Sequence, residues 1–432
     1  MTYDSVGFTI KTVSERTGVS VHTLRAWERR YGVPSPNRGA DNRYRLYDES
    51  DIADVLFLKQ KVESGVAPAQ ASAMLRQRQD AAPSLTIDES THQPIVSLQN
   101  ALLEAFAKSD ETAARHLLDE AFALYAPEQV ALSIIEPTMK EIGDRWMRAE
   151  MTVWHEHLAS NVVQQKLYSV LQSQPVLPDS APMIAAACAP NEEHQVGLIV
   201  FALLARRQGW RVAYLGQGTP LADLVDLSRS QLKPSIIAVS VTTVVGLAGL
   251  IPWLDANHRP DAPLVFGGRM PTIAPTLRAH LPGSFLGDNV LAAIQQLASV
   301  KMRTDFWSPS KRARHAVDLL ESHRLKLAGE TISEIVNSLN VRSKPKWKVA
   351  HLNEATQFLI DGLACALAFD APELMDVENR WLKDAMPPRV VTAQSINQHL
   401  ETFARVLRRV LPREQAQLFD PLIERMQKNN LE

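Results

Sequence analysis

The spacing of hydrophobic and polar positions changes character several times along the chain, and each change predicts a different set of elements. From Ile10 the spacing is helical. Thr9 is placed to cap a helix over Ile10–Thr17, and Gly18 to end it. Ser20 caps a second helix over Val21–Arg30 that ends near Gly32, with Val13, Val21, Leu24 and Trp27 on the inner face. The step between the two is about three residues and contains a glycine, which is helix-turn-helix spacing. A polar, hairpin-like stretch follows, NRGADNRYRLYDES. Asp48 then caps an apolar-periodic helix through Ile52, Val55, Leu56 and Val62, and Pro68 opens a short last one. Residues 81–94 are polar with two prolines and read as a linker.

Residues 95–178 are helical throughout, with room for four helices and with Pro127 and Pro137 near helix starts or breaks. Over 179–300 the period shortens. Runs of small and β-branched residues (MIAAAC, RVAYLG, IIAVSV, LVFGG, SFLG) alternate with helical stretches at 195–208, 220–231, 246–256, 273–280 and 288–299. Five successive βα units imply a parallel sheet with helices on both faces, whose ligands bind at the C-terminal ends of the strands. Residues 301–432 return to helix. Leu319, Leu320, Leu363, Leu367, Leu400, Phe403, Leu407, Leu411 and Leu422 supply its apolar faces, and a basic patch, RSKPKWK (342–348), divides it.

At 432 residues the chain has room for two to four domains. Lys+Arg 46 against Asp+Glu 48 leaves a net charge of −2, too balanced for a general polyanion binder, so any nucleic-acid contact must come from a local patch. Two cysteines, Cys188 and Cys365, exclude a disulfide scaffold and a Cys-rich zinc site. With no basic, apolar leader at Met1–Ile10 and no apolar run of spanning length, a cytoplasmic location without membrane contact is expected.

The local patch lies near the N-terminus. Between residues 25 and 45 six arginines stand against Glu28 and Asp41, a net +4. Arg25 and Arg29 are i,i+4 neighbours opposite Leu24 and Trp27, with Arg30 beside them and Arg38, Arg43 and Arg45 in the hairpin-like stretch. Such a helix presents His22, Thr23 and Arg25 to base edges in the major groove, while Tyr44 and Tyr47 brace the hairpin against phosphates. The segment TVSERTGVSVHTLRAWERRYGVPSPNRGADNRYRLYDESDI resembles the DNA-binding domain of MerR-type winged-helix regulators, over about residues 8–76. That resemblance implies double-stranded promoter DNA as a partner. The long helix through which ordinary MerR proteins dimerise is missing before the linker, so dimerisation must lie elsewhere.

The loop after the first strand reads APNEEHQVG and contains Glu192-x-His194-x-x-Gly197. A histidine at a strand's C-terminal end can give one ring nitrogen to a metal while Glu192 holds the other, and Gly197 lets a large group approach the backbone. Strand three ends in Ser240-Val241-Thr242 and strand four in Gly267-Gly268, small residues that leave a slot between strands. Together these resemble the D-x-H-x-x-G…S-x-L…G-G pattern of cobalamin-binding domains, with Glu for Asp at 192 and Thr for Leu at 242; LGQGTP (215–220) resembles the same domains. The resemblance implies His194 as the lower cobalt ligand with Glu192 behind it. It places Ser240 and Thr242 against the cofactor's tail base, and has Gly267 and Gly268 make room for that base.

Upstream, Trp146 is followed by nine residues and then Glu156-His157. On one continuous helix, at about 100° per residue, Val153 falls about −20° and His157 about +20° from Trp146, with Glu156 at about −80°. That face would cap a planar macrocycle. The H-E-H at 155–157 is not a zinc motif, because His155 and His157 lie about 200° apart and the H-E-x-x-H spacing is missing. W-x9-E-H directly before a cobalamin domain resembles CarH/LitR-type photoreceptor regulators, over about residues 8–299. In that family the pattern covers the adenosyl group, so adenosylcobalamin is the expected cofactor. Light-sensing members carry a histidine directly after the tryptophan; here the residue is Met147.

The expected architecture is therefore multidomain: a winged helix-turn-helix (1–80), a linker (81–94), a four-helix bundle (95–178), a flavodoxin-like, Rossmann-type α/β sheet (179–300) and an all-α C-terminal domain (301–432). The expected function is a non-enzymatic, cobalamin-controlled transcription regulator, a repressor that responds to light by a change in homo-oligomeric state. Two alternatives stand beside it: a MerR-type regulator answering to a protein partner without cobalamin, and a corrinoid carrier of a methyltransferase. The N-terminal DNA reader argues against the carrier, and the intact Trp146, Glu192, His194 and Gly197 argue against the cofactor-free regulator. Arg405, Arg408, Arg409 and Arg413 read as a solvated basic face.

Overall fold

The computed structural model describes residues 8–35, 47, 49–63, 66–81, 92–255, 259–338, 349–385 and 393–429. They belong to two compact units, Met1–Ser84 and Leu85–Glu432.

In the first unit, helices α1 (Ile10–Thr17), α2 (Val21–Tyr31), α3 (Glu49–Glu63) and α4 (Pro68–Ala81) enclose a small core of Val13, Leu24, Trp27, Val33, Tyr47, Val55, Leu58 and Leu75. The Thr9 hydroxyl accepts from the Thr12 N–H at 3.3 Å and the Ser20 hydroxyl from Thr23 N–H at 3.1 Å. Each such cap contributes about 1 kcal/mol. Gly18 and Gly32 stop the helices with φ of +67° and +74°, values that cost a side-chain-bearing residue strain. On α3, Leu56 is exposed and Leu58 takes the core position, because the buried face runs through 52, 55 and 58. Asp48 and the hairpin-like stretch 36–46 lie outside the described residues.

The second unit begins with four helical rods: α5 (His92–Ala107), α6 (Glu111–Leu124), a rod built from α7 (Pro127–Val130) and α8 (Glu136–Met147), and α9 (Val153–Gln172). Helix α5 takes in the last three residues of the expected linker, since Pro94 in its first turn needs no N–H partner. Between α7 and α8 the backbone widens into a π-turn, Ala131–Ile135. Pro137 has no N–H for the Ser133 carbonyl, and the wider turn absorbs the missing bond.

Strands β1 (Met183–Cys188), β2 (Arg211–Gly216), β3 (Ile236–Ser240), β4 (Leu264–Gly267) and β5 (Ser284–Phe285) form one parallel sheet in the order β2-β1-β3-β4-β5. That is the flavodoxin-like order, and its switch point lies between β1 and β3. β1 and β3 are buried along their whole length, as continuous apolar runs predict. The helices are α10 (Val196–Arg207), α11 (Leu221–Arg229), α12 (Val244–Ala248), α13 (Met270–Ile273), α14 (Leu277–His280) and α15 (Val290–Gln296). The single helix expected over 246–256 is instead α12 and a 3₁₀ turn at Ile251–Leu254, broken where Pro252 lacks an N–H. The helix expected over 273–280 is likewise divided, with Pro271 in the first turn of α13 and Pro275 between α13 and α14.

One face of the sheet (Ile184, Ala186, Cys188) shares a core with α10, α15 and the four rods through Phe106, Ile134, Val163 and Leu204. The other face (Ala187, Val239, Phe266) shares a core with α12 and the C-terminal helices. These are α16 (Lys311–Ser322), α17 (Arg324–Ser338), α18 (Val349–Ala368), α19 (Leu374–Ala385), α20 (Ala393–Val410), α21 (Arg413–Ala416) and α22 (Asp420–Asn429). Leu320, Leu363, Leu400, Phe403, Leu407, Leu411 and Leu422 are buried there as the spacing predicts, with Leu319 and Leu367 partly so. Each such side chain contributes about 1.5–3 kcal/mol by leaving water. α18 lies along α12, and α19 lies against α8. The expected basic face is exposed but paired: Arg405 and Arg409 meet Glu334, Arg409 also meets Glu330, and Arg408 meets Asp420. The 342–348 patch lies outside the described residues. Among the described residues no helix is long and apolar enough to cross a membrane.

Candidate functional site

The loop after β1 is organised around one buried carboxylate. Glu192 is 1% exposed. Its Oε1 accepts the His194 backbone N–H at 3.0 Å and lies 2.7 Å from the His194 Nδ1. Its Oε2 accepts from Thr242 N–H (2.8 Å), Thr243 N–H (2.7 Å) and the Thr243 hydroxyl (2.9 Å). Burial pushes this carboxyl up, but the bonds from His194 and Thr242 outweigh it and hold the group at about 2. In the neutral form of the imidazole, an anionic Glu192 selects Nδ1 as the protonated nitrogen and leaves the Nε2 lone pair for a ligand. The bond to Glu192 raises the His194 pKa against the effect of burial, and Glu156 adds to it. The His194 side chain is 60% exposed, so Nε2 is accessible to a ligand.

Small residues surround this histidine at the strand ends. Register sets Ser240 beside Gly267. A Cβ on Gly197 or Gly267 would meet nothing within 4 Å, so both open onto free space. Gly268 differs. Its φ is +97° and a Cβ there would stand 2.4 Å from the Val241 carbonyl oxygen, so the backbone itself requires this glycine. Ser240 is largely buried, and Thr242 faces Glu192 with its backbone N–H. A donor nitrogen backed by a carboxylate, with open glycines beside it, fits a bulky cobalt-centred group.

The upper face corrects the single-helix expectation. Trp146 and Met147 end α8, while Val153, Glu156 and His157 belong to α9. The chain turns between them. Ala149 has φ +57°, the Arg145 carbonyl accepts from Glu150 N–H, and Thr152 forms a reciprocal capping box with His155 that restarts the helix. The angles of one continuous helix therefore do not apply, and Trp146, Val153, Glu156 and His157 stand on two separate helix ends. Val153 and His157 are exposed, Trp146 and Met147 half-buried. Glu156 accepts the Ser160 hydroxyl at 2.5 Å and lies 3.6 Å from His157 Nε2. His155 is spent on its cap and stacks on Trp154 at 3.7 Å. Among the described residues no cluster of three His, Cys, Asp or Glu is placed to hold a metal ion.

Sequence reasoning missed Gln195. It is buried, accepts from Tyr168 (2.7 Å) and Tyr214 (3.2 Å), and donates to Gln164 at 3.0 Å. This ties the histidine loop to α9 and β2. A glutamine beside a motif histidine carries no signal by itself, because its partners come from other elements.

On α2, His22, Arg25, Arg29 and Arg30 are exposed opposite buried Leu24 and Trp27. Thr23 is half-buried and shares a hydrogen bond with the capping Ser20 at 2.8 Å. Arg38, Arg43 and Tyr44 lie outside the described residues. Tyr47 does not face phosphates. It is 1% exposed, bridges Phe8, and donates to Glu28 at 3.2 Å, because its ring completes the small core.

The chain matches the model of MerR HTH family regulatory proteins over residues 8–78 and B12 binding domain models over 98–170 and 182–294. It is 32% identical over 237 residues to the HTH-type transcriptional repressor CarH of Myxococcus xanthus, covering 54% of this chain and 78% of the relative. It is 30% identical over 296 residues to the repressor CarA of the same organism, covering 67% of this chain and 95% of the relative. Among solved structures, a monomethylamine corrinoid protein of Methanosarcina barkeri aligns with TM-score 0.42 and 15% identity over 47% of this chain and 99% of its own. The DNA reader and the cobalamin-type site thus stand on one polypeptide, and the chain belongs to the family of MerR-type, B12-binding transcriptional regulators that includes CarH and CarA.

Proposed function

We propose that this regulator is a repressor whose hold on promoter DNA is set by adenosylcobalamin, with His194 as the lower cobalt ligand. The observation that carries the reading is the Glu192–His194 pair, in which five hydrogen bonds fix a carboxylate that turns Nε2 outward. Ser240, Thr242, Gly267 and Gly268 line the tail slot. Trp146, Val153, Glu156 and His157 cover the opposite face. The bound cofactor supplies a cobalt–carbon bond that visible light cleaves. The residues of the two helix ends hold that face dry and register the change as altered packing between rods and sheet.

The regions act as a DNA reader (1–80), a linker (81–94), a cap (95–178), a cobalamin domain (179–300) and a C-terminal helical region (301–432). His22, Thr23 and Arg25 read bases, and Arg29, Arg30, Arg38, Arg43 and Tyr44 hold phosphates. Cofactor state sets the number of copies assembled and so the number of DNA heads acting together. Linked heads bind far more tightly than one alone, with no change in any head. The relatives named as repressors support the sign of regulation.

The test loads the full chain with adenosylcobalamin in the dark, removes the excess, and records the visible spectrum and gel-filtration size before and after green light. A bound chromophore whose spectrum and assembly size both change is expected. A bound but light-inert chromophore would favour sensing of cofactor level, the reading that Met147 in place of a histidine supports. A colourless chain would overturn the cofactor role in favour of control by a protein partner.

A further inference from the structure

We propose that the C-terminal helices act on the cobalt-ligand loop through Thr243, a positioning residue that joins Glu192 to α12. This rests on the cobalamin reading above and assigns a role to the C-terminal region. Thr243 gives both its N–H and its hydroxyl to Glu192 Oε2, at 2.7 and 2.9 Å. The same hydroxyl oxygen accepts the Gly246 N–H at 3.1 Å and so caps α12. One side chain thus holds the carboxylate behind the ligand and the start of a helix.

That helix meets the ligand loop without cushioning side chains. A Cβ on Gly246 would lie 2.8 Å from Glu192 Oε2, and a Cβ on Gly249 would lie 2.8 Å from the Pro190 carbonyl oxygen. The Gly246 backbone rests directly on the Glu192 side chain, and Gly249, just past the end of α12, rests on Pro190, so a shift of α12 bears on the carboxylate and on the loop that carries it. On its other side α12 is covered by α18. Val244 and Leu247 are buried in one cluster with Leu359, Leu363, Ala364 and Cys365, and Cys365 Sγ lies 3.7 Å from the Val244 carbonyl oxygen. A second contact reaches the opposite wall, where α19 lies against α8, the helix that ends in Trp146 and Met147. The C-terminal helices therefore touch one element from each side of the site. Linkage is reciprocal: if they position Glu192 and His194, cofactor binding must in turn stabilise the packed arrangement of α12 on α18.

The experiment compares full-length wild type, Thr243→Val and Thr243→Ser, each loaded with adenosylcobalamin in the dark. Cofactor release into excess competitor and backbone amide exchange over residues 359–365 are followed. Thr243→Val is expected to release cofactor about tenfold faster, the effect of one hydrogen bond to a charged group. Thr243→Ser, which keeps the hydroxyl, is expected to behave as wild type. Loading is expected to slow exchange in α18 severalfold in wild type and in Thr243→Ser, and to lose that effect in Thr243→Val. Wild-type release from Thr243→Val, or an α18 in wild type that ignores cofactor, overturns the inference while leaving the cobalamin reading intact. If Thr243→Val does not fold, the wild-type exchange result decides alone. A wild type that stays colourless overturns the cobalamin reading and this inference with it.

Discussion

Glu192 accepts two hydrogen bonds on one carboxylate oxygen and three on the other. Glu192→Gln keeps its shape, yet the amide N–H₂ must then face donors on one side or the other. We expect a loss of about 1–3 kcal/mol in stability by urea unfolding and a 10–100-fold loss in cobalamin affinity by spectrophotometric titration. Unchanged affinity would show that Glu192 does not orient His194. The neighbouring glycines separate two demands. Gly268→Ala forces a Cβ to 2.4 Å from a backbone oxygen at φ +97° and should cost about 2–4 kcal/mol of stability. Gly267→Ala meets nothing within 4 Å, so stability should hold while cobalamin affinity falls. Equal melting losses in the two variants would contradict the assignment of open space to Gly267.

At the scale of elements, α2 and α20 give separable tests. Arg25 and Arg29 are exposed on α2. Arg25→Ala should relax base preference at a cost of about 1–3 kcal/mol, and Arg29→Ala should lower the slope of log K against log salt for duplex DNA by about 1. A slope equal to wild type would remove Arg29 from the phosphate contacts. On α20, His399 Nε2 lies 2.9 Å from the Thr356 hydroxyl, which donates to the Leu352 carbonyl and so accepts the histidine proton. Burial pushes this histidine from its ordinary 6.5 down to about 4. Between those values the unfolded chain binds a proton that the folded chain refuses. The histidine's contribution is therefore complete above pH 6.5 and is lost as pH falls toward 4, on the order of 3 kcal/mol in all. His399→Gln should flatten melting temperature against pH over that window, and an unaltered curve would place the acid sensitivity elsewhere. Much of the fold was legible because its signals are local. Thr9, Gly18, Ser20 and Gly32 punctuate α1 and α2, and the apolar runs mark all five strands. The break after Met147 was missed because Thr152 competes weakly, as a cap, with a long helical period, and the positive φ falls on Ala149, a residue that does not advertise it. Glu192 and His194 were legible from spacing. Thr243 and Gln195 were not, because their partners lie on other elements.

For the molecule as a whole, the C-terminal helices share a buried core with the sheet face opposite the four rods. The cobalamin-type site is thus framed by elements from both sides of the sheet, and the C-terminal helices pack into the same compact unit. The DNA reader is a separate compact unit with its own core. On the proposed function, control lies in the number of readers brought together, with each reader unchanged. The most direct test selects a preferred duplex from a random pool and measures its binding in the dark, with and without adenosylcobalamin, for wild type and His194→Ala. Loaded and unloaded wild type are expected to differ at least tenfold in affinity, with a matching change in the number of copies bound. His194→Ala is expected to keep the unloaded affinity and to ignore the cofactor. Equal affinity of loaded and unloaded wild type, with cofactor demonstrably bound, would contradict the proposed function.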